Sequence, residues 1–245
     1  MTLSMTPSSA PPLLALDTST PTARVALLSP DGACLQAGEK TAARHSANLL
    51  GLCDEVLRAA AVRVADLGAI ACGAGPGSFT GLRVGLAVAK GLALPSSLPL
   101  VLVSSLQALA RDLAASAPAA SLLVPCIDAG KGQVYAHVYS AAGEPRGDDD
   151  WVLAPDQLCR LAQEVAGGRS MVAGGTGVDR YLDVFRAHLG HGSLRPSLPG
   201  PSALAVAHLA LARLVRGDHD DIETAVPRYG RPPDITRSKK ALLLP

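Results

Sequence analysis

Two carboxylates stand where a charged ligand could be held. Asp17 closes the apolar run 13–16 and leads into Thr18-Ser19-Thr20; Asp128 closes 124–127 and leads into Ala129-Gly130-Lys131-Gly132. A carboxylate at a strand end can hold a Mg²⁺-linked phosphate. It can also accept the N–H and O–H groups of its own turn, which is the commoner use. A third segment, Gly73-Ala74-Gly75-Pro76-Gly77-Ser78-Phe79-Thr80-Gly81-Leu82-Arg83-Val84-Gly85, has glycines where a strand should turn into a helix. Such glycines either cradle a phosphate or let another backbone come close. A dinucleotide fingerprint needs a third glycine where Ser78 stands, and a P-loop needs a lysine that is missing before Lys90. Gly77, Gly81, Gly85 and Ala89 are spaced by four and share one helical face, although each helical glycine costs roughly 1 kcal/mol relative to alanine. The spacing favours close packing over an anion site.

Other polar residues carry weaker signals. Arg83 has an anion or partner reading and a solvated one in balance. His45 precedes Ser46, a good N-cap. His188 and His191 are flanked by glycines and have no further ligands nearby, so a polar loop is expected rather than a zinc site.

The elements that must position these residues follow from periodicity. Runs 13–16, 24–28 and 33–40, joined by short turns, read as an antiparallel meander. A helix over 45–61 follows, with Leu49, Leu52, Cys53, Val56, Leu57 and Ala60 as its apolar stripe and Leu50 widening it. Next come a strand at 67–72, the small-faced helix to 94, a strand at 100–103 and a helix to 115. The second half repeats this order: strands at 124–127, 133–139 and 151–153, a helix at 155–165, a strand at 170–173 before a second glycine turn, and a last helix at 202–216. Asp17 is followed by Ser29 and Gly32, and Asp128 by Ser140 and Gly143, at the same offsets. A repeated strand–strand–strand–helix–strand–helix unit is a fold-level signal.

Composition narrows the function classes. The 245 residues are 48% hydrophobic and only 3% aromatic, with 22 basic and 21 acidic residues and a net charge of +1. This argues against autonomous nucleic-acid binding. Five scattered cysteines without a Cys-x-x-Cys fit a reduced, cytoplasmic setting. Residues 1–12 lack the charge and apolar core of a signal peptide and read as a disordered extension. The tail from 218 to 245, with Arg228, Arg231, Arg237, Lys239 and Lys240, reads as a solvated, partly disordered end. The expected division is an extension 1–12, an N-terminal lobe 13–103, a C-terminal lobe 104–217 whose last helix returns to the first lobe, and the basic, proline-containing tail.

On Leu14-Ala15-Leu16-Asp17-Thr18-Ser19, His45-Ser46 with Leu49-Leu50, Gly75-Pro76-Gly77-Ser78-Phe79-Thr80-Gly81-Leu82-Arg83 and the stretch 128–135, the chain resembles the TsaB (YeaZ) family. That family is the bacterial accessory subunit of tRNA threonylcarbamoyladenosine synthesis. The resemblance implies an α/β fold of two duplicated lobes, of the actin/Hsp70/sugar-kinase-like (ASKHA) type. It implies that Asp17 and Asp128 face the interlobe cleft, with Ser19 and Gly130 beside them. Family members usually carry Arg and Glu where Gly130 and Gln133 stand, which weakens a charged site in the second lobe. The paralogous catalytic subunit, TsaD, binds metal through two histidines four residues apart. The matching stretch Ser104-Ser105-Leu106-Gln107-Ala108-Leu109 has none, so the resemblance implies a non-catalytic partner without a metal site.

The expected partners are TsaD, TsaE through the TsaB–TsaD complex, tRNA only within the complex, and a second copy when the chain is alone, with no membrane. The expected partner surface is Leu49, Leu50, Cys53 and Leu57 of the first helix with Gly81, Leu82, Val84, Gly85, Val88 and Leu92 of the second, since a helix apolar on two sides must be covered on both. No cofactor is expected beyond weak ATP, ADP or Mg²⁺ in the cleft. The alternative is an ASKHA-type small-molecule kinase using Asp17. A glycoprotease reading finds no nucleophile or metal constellation.

Overall fold

In the computed structural model, which describes residues 10–41, 49–195 and 197–231, ten strands and seven α-helices form two lobes with one plan. The first sheet contains β1 (Leu13–Asp17), β2 (Thr22–Leu28), β3 (Cys34–Thr41), β4 (Ala69–Gly75) and β5 (Leu100–Ser104) in the order β3-β2-β1-β4-β5. The second contains β6 (Leu122–Gly130), β7 (Gln133–Ala136), β8 (Trp151–Leu153), β9 (Met171–Gly174) and β10 (Leu194–Arg195) in the matching order β8-β7-β6-β9-β10. In each, the first three strands are antiparallel and the last two run parallel to the first. The lobes therefore share one topology, that of the ASKHA fold.

The repeat extends to single hydrogen bonds. In the β2–β3 turn, Ser29 N donates to Ala33 O at 2.9 Å and Gly32 N to Ser29 O at 2.9 Å; after β7, Ser140 N donates to Glu144 O at 2.8 Å and Gly143 N to Ser140 O at 2.9 Å.

Alternation places Leu14, Leu16, Val25, Leu27, Ile70 and Cys72 on one face of the first sheet, under α1 (Leu49–Ala59) and α2 (Phe79–Ala93). Leu13, Ala15, Ala69, Ala71, Val101 and Val103 point to the other face, where α7 (Ala203–Leu214) lies through Ala205, Val206, Ala207 and Ala210. In the second lobe, α4 (Pro155–Ala166), α5 (Thr176–Arg180) and α6 (Leu182–Leu189) cover one face. The other face, with Leu123, Ile127, Tyr135 and Val172, receives Leu106, Leu109 and Leu113 of α3 (Ser105–Ala114). Each lobe's last helix thus serves the opposite sheet: α3 leaves the first and packs on the second, and α7 leaves the second and packs on the first.

Three sequence expectations change. The polar loop around His188 and His191 is in part helix: His188 stands in the last turn of α6 with Nδ1 2.9 Å from Val184 O, and His191 begins a short 3₁₀ turn. The strand expected over 133–139 ends at Ala136. The tail, expected to be solvated, is docked over 218–231: Asp220 N donates to Leu100 O at 2.8 Å, and Arg213 binds both Asp218 and Asp220. His45, Ser46, most of the 1–12 extension and the tail beyond Arg231 lie outside the described residues.

Candidate functional site

Asp17 is fully buried. Its Oδ1 accepts from Ser19 N at 2.9 Å and Ser19 Oγ at 2.7 Å, and its Oδ2 from Ser105 Oγ at 2.8 Å. A β-carbon on Gly73 would lie 1.9 Å from Oδ2, so the backbone of β4 seals the carboxylate. Burial pushes the Asp17 carboxyl above its ordinary range, and the bonds from Ser19 and Ser105 recover only part of that cost. The expectation that Asp17 faces the cleft is corrected: it organises the Thr18–Ser19 turn, whose outer side Ser19 presents to a cleft while its own hydroxyl is engaged.

The glycine helix packs onto that turn. Ser78 caps α2 by accepting from Gly81 N at 3.2 Å, as a serine N-cap does. Thr18 Oγ1 donates to Gly81 O at 2.7 Å and Ser78 N donates to Ser19 O at 2.7 Å. A β-carbon on Gly81 would come 2.1 Å from Thr18 O, and one on Gly85 2.3 Å from Thr18 Oγ1. The small face thus brings helix and turn of one chain together. This corrects much of the expected partner surface. Gly81 and Gly85 are buried under the β1–β2 turn, Leu82 is buried beside Gly75, and Leu49, Cys53 and Leu57 belong to the core of the first lobe. Val84, Val88 and Leu92 are half-buried beside the same core, which Ile222 and Ala225 of the C-terminal segment also join. Leu50 alone of that set is well exposed, at 56%. The side of the two helices that faces solvent instead carries Leu50, Gly51 and Asp54 of α1 and Arg83, Ala87 and Gly91 of α2, with Leu94 just beyond.

The lobes face each other across a cleft of about 520 Å³, lined by Phe79 and Ser78 at the start of α2, by Asp128, Lys131 and Tyr135 of the second lobe, and by Tyr229 and Arg231 of the tail. It adjoins a second cleft lined by Ser19, Ser78, Asp128, Thr176 and Arg180. Asp128 lines both clefts and Gly130 the first. Asp128 Oδ1 accepts from Gly130 N at 3.0 Å, its Oδ2 is 3.3 Å from Arg180 Nε, and its N–H donates to Thr176 Oγ1 at 3.0 Å.

The tail crosses between the lobes at this cleft. Arg228 N donates to Ala74 O at 2.7 Å. Gly75 has φ +104°, and a β-carbon there would lie 2.6 Å from Arg228 O, so this glycine of the motif seats the tail. Tyr229 stacks against Phe79 with ring centroids 5.0 Å apart, and its hydroxyl accepts from Arg83 Nε at 2.9 Å. The Arg83 guanidinium lies 3.9 Å from the Phe79 ring centre, a cation–π contact. Arg231 reaches the second lobe, donating to Gln133 Oε1 and, at 3.4 Å, to Gly130 O. An arginine of the tail thus stands beside Gly130 and Gln133.

Sequence reasoning assigned no role to Phe79, Tyr135 or Tyr229 and treated Arg231 as part of a loose tail. One signal was available: in a chain with so few aromatics, a tyrosine in an apparently solvated tail asks for a contact.

Residues 38–177 match the family model described as TsaD, tRNA N6-adenosine threonylcarbamoyltransferase. The chain is 34% identical over 175 residues to the tRNA threonylcarbamoyladenosine biosynthesis protein TsaB of Escherichia coli K12, covering 70% of this chain and 74% of the relative. It is 41% identical over 123 residues to the protein of that name from Haemophilus influenzae, covering 50% of this chain and 51% of the relative. A crystal structure from Pseudomonas aeruginosa, described as an uncharacterized protein with similarity to peptidase YeaZ, superposes with a TM-score of 0.74 at 31% identity over 90% of this chain and 100% of that one.

Proposed function

The chain belongs to the TsaB (YeaZ) family, and we propose that it is a non-catalytic accessory subunit of tRNA threonylcarbamoyladenosine synthesis that binds TsaD through the solvent side of α1 and α2. The observation that carries the binding surface is the outer stripe of these helices. Arg83, Ala87, Gly91 and Leu94 follow one another at spacings of four, four and three, and Leu50 and Gly51 are exposed on α1. Among the described residues no heavy atom lies within 4 Å of a β-carbon built on Gly51 or Gly91, so none of them requires a glycine at either place. A glycine retained in a helix interior costs roughly 1 kcal/mol, and close approach by another backbone gives it a use. The chain works in the cytoplasm, meets tRNA within the assembled complex and TsaE through TsaB–TsaD, and self-associates on the same stripe when TsaD is absent. The kinase alternative loses its central residue, because Asp17 is sealed behind β4 and α3.

The test compares Gly91→Ala with Gly91→Leu. Both are compatible with the helix, and Gly91→Ala should raise chain stability by up to roughly 1 kcal/mol. Gly91→Leu should weaken TsaD binding at least about tenfold by holding the backbones apart, an overpacking cost of about 1–3 kcal/mol. Isothermal titration with TsaD and light scattering across dilution read both assemblies. Unchanged TsaD affinity with Gly91→Leu and with Leu50→Glu would place the partner elsewhere.

A further inference from the structure

We propose that the interlobe cleft beside α2 is a stacking site for an unpaired RNA base, built from Phe79 and Tyr229, with the buried Tyr135 in its wall, and flanked by Arg83, Lys131 and Arg231. Three of the chain's seven aromatic residues line this one cleft. Two are solvent-facing: Phe79 is 40% and Tyr229 37% exposed, while Phe185 and Tyr139 are buried in the second lobe. The exposed pair is already aligned. Arg83 lies over Phe79, Phe79 stacks against Tyr229, and the ladder runs to the rim of a 520 Å³ cleft with Tyr135 in its wall.

Its position is held from both lobes. Arg228 N and Gly75 fix the tail on the first lobe, and Arg231 fixes it on the second. Tyr229 is therefore presented by a strap anchored on both sides of it, which lowers the ordering cost of stacking. Rings interleaved with cations are the composition that recognises single-stranded nucleic acid: every base offers a face to an aromatic ring, and arginine and lysine meet the phosphates. A chain of net charge +1 supplies little long-range attraction for a whole duplex, so the recognition rests on the rings.

The inference rests on the reading of this chain as a tRNA-modification subunit, but its test is separate. Fluorescence anisotropy follows a labelled unpaired RNA 12-mer, a duplex of the same sequence and a fluorescent ATP, each with the full chain alone and bound to TsaD. The single strand should bind in preference to the duplex. Tyr229→Ala should weaken it about tenfold, the scale of one base–aromatic stack, and Phe79→Ala likewise. Tyr229→Phe should retain binding, because the ring remains although the bond from Arg83 is lost. Arg160→Ala, in α4 and outside the cleft lining, should change nothing.

Equal binding of duplex and single strand would overturn the site, as would equal losses with Tyr229→Ala and Tyr229→Phe or no RNA binding in either state. ATP binding with the same dependence on Tyr229 would assign the cleft to free nucleotide and overturn it too. If Tyr229→Ala removes TsaD binding while the melting temperature holds, the ladder is partner surface; if TsaD binding persists while RNA binding is absent, only the RNA site fails.

Discussion

Asp17 ends β1 and Asp128 stands two residues before the end of the equivalent β6, and each accepts a hydrogen bond from the backbone N–H two residues on, at 2.9 and 3.0 Å. Around Asp17 the first lobe adds Ser105, the bare backbone of Gly73 and the Thr18–Ser19 turn clamped under α2. Around Asp128 the second lobe leaves an opening, with Arg180 as an exposed partner. The helices after β4 and β9 account for much of the difference. α2 runs fifteen residues with a glycine face that lets it sit on the turn, whereas α5 is five residues long and gives way to α6. One topology thus yields a rigid, closed turn in the lobe that presents α1 and α2 and an accessible turn in the lobe that faces the cleft. A buried polar cluster whose members are all paired fixes geometry, and a half-exposed one remains available to a ligand.

The largest effect expected from breaking this asymmetry is at the helix–turn contact. Gly81→Ala puts a methyl group 2.1 Å from a carbonyl oxygen that cannot move without the whole turn. It should destabilise the chain by about 3 kcal/mol or more, toward the upper end of overpacking costs. Gly177→Ala in the second lobe meets chiefly a Val134 methyl at 2.8 Å and should cost about 1 kcal/mol. Urea unfolding of the two variants measures the contrast; similar losses would mean that α5 is as tightly seated as α2. This also revises the expectation for Gly85, where a leucine would damage folding before it touched a partner.

Next in size are the carboxylates. Asp17→Ala strands donors from Ser19 and Ser105 inside the core and should cost about 2–4 kcal/mol, one to three for each unsatisfied group with partial relaxation. Asp128→Ala gives up an exposed pair and a turn bond and should cost about 1 kcal/mol or less. Denaturation midpoints of the two variants give the ratio directly.

The pH dependence sharpens the same contrast. The folded-state pKa of Asp17 is raised by burial, so the stability its neutral form contributes is complete below the ordinary carboxylate value and is lost as pH rises through the folded value. Asp17→Asn keeps an acceptor for Ser19 and cannot ionise. It should gain stability relative to the parent chain as pH rises from about 4 to 7, read as the difference in melting temperature at the two values. A constant difference would mean that Asp17 titrates as it does in the unfolded chain.

The smallest effect is where the lobes are most alike. α1 carries Asp54 and Arg58, and α4 carries Asp156 and Arg160, in the same i,i+4 pairing at 3.0 and 2.8 Å. Arg58→Ala and Arg160→Ala should each shift stability by about 0.5 kcal/mol or less, because exposed pairs are screened by water and salt. A loss above 1 kcal/mol in one would mark a hidden difference between the two helices.

The sequence by itself determined the duplicated order of elements. Alternation, turn residues and the Asp–Ser–Gly offsets are local, and local chemistry is what a sequence displays. It also displayed, by Ser78 and the lack of a lysine before Lys90, that the glycine segment carries no standard nucleotide signature. Which way the glycine face points was decided only by the tertiary structure, since a small-residue stripe is equally suited to its own β1–β2 turn and to a foreign helix. The docking of the tail was decided there too: Tyr229 meets Phe79 and Arg83 across about 150 positions of chain, and no periodicity records such a contact. The open surface of α1 and α2 followed from subtraction. Once Gly81, Gly85, Leu82 and Leu57 were committed to the core, Leu50, Gly51, Ala87 and Gly91 were what remained outside, because a helix wide enough to reach a sheet, a neighbouring helix and a crossing segment has only one side left for a partner.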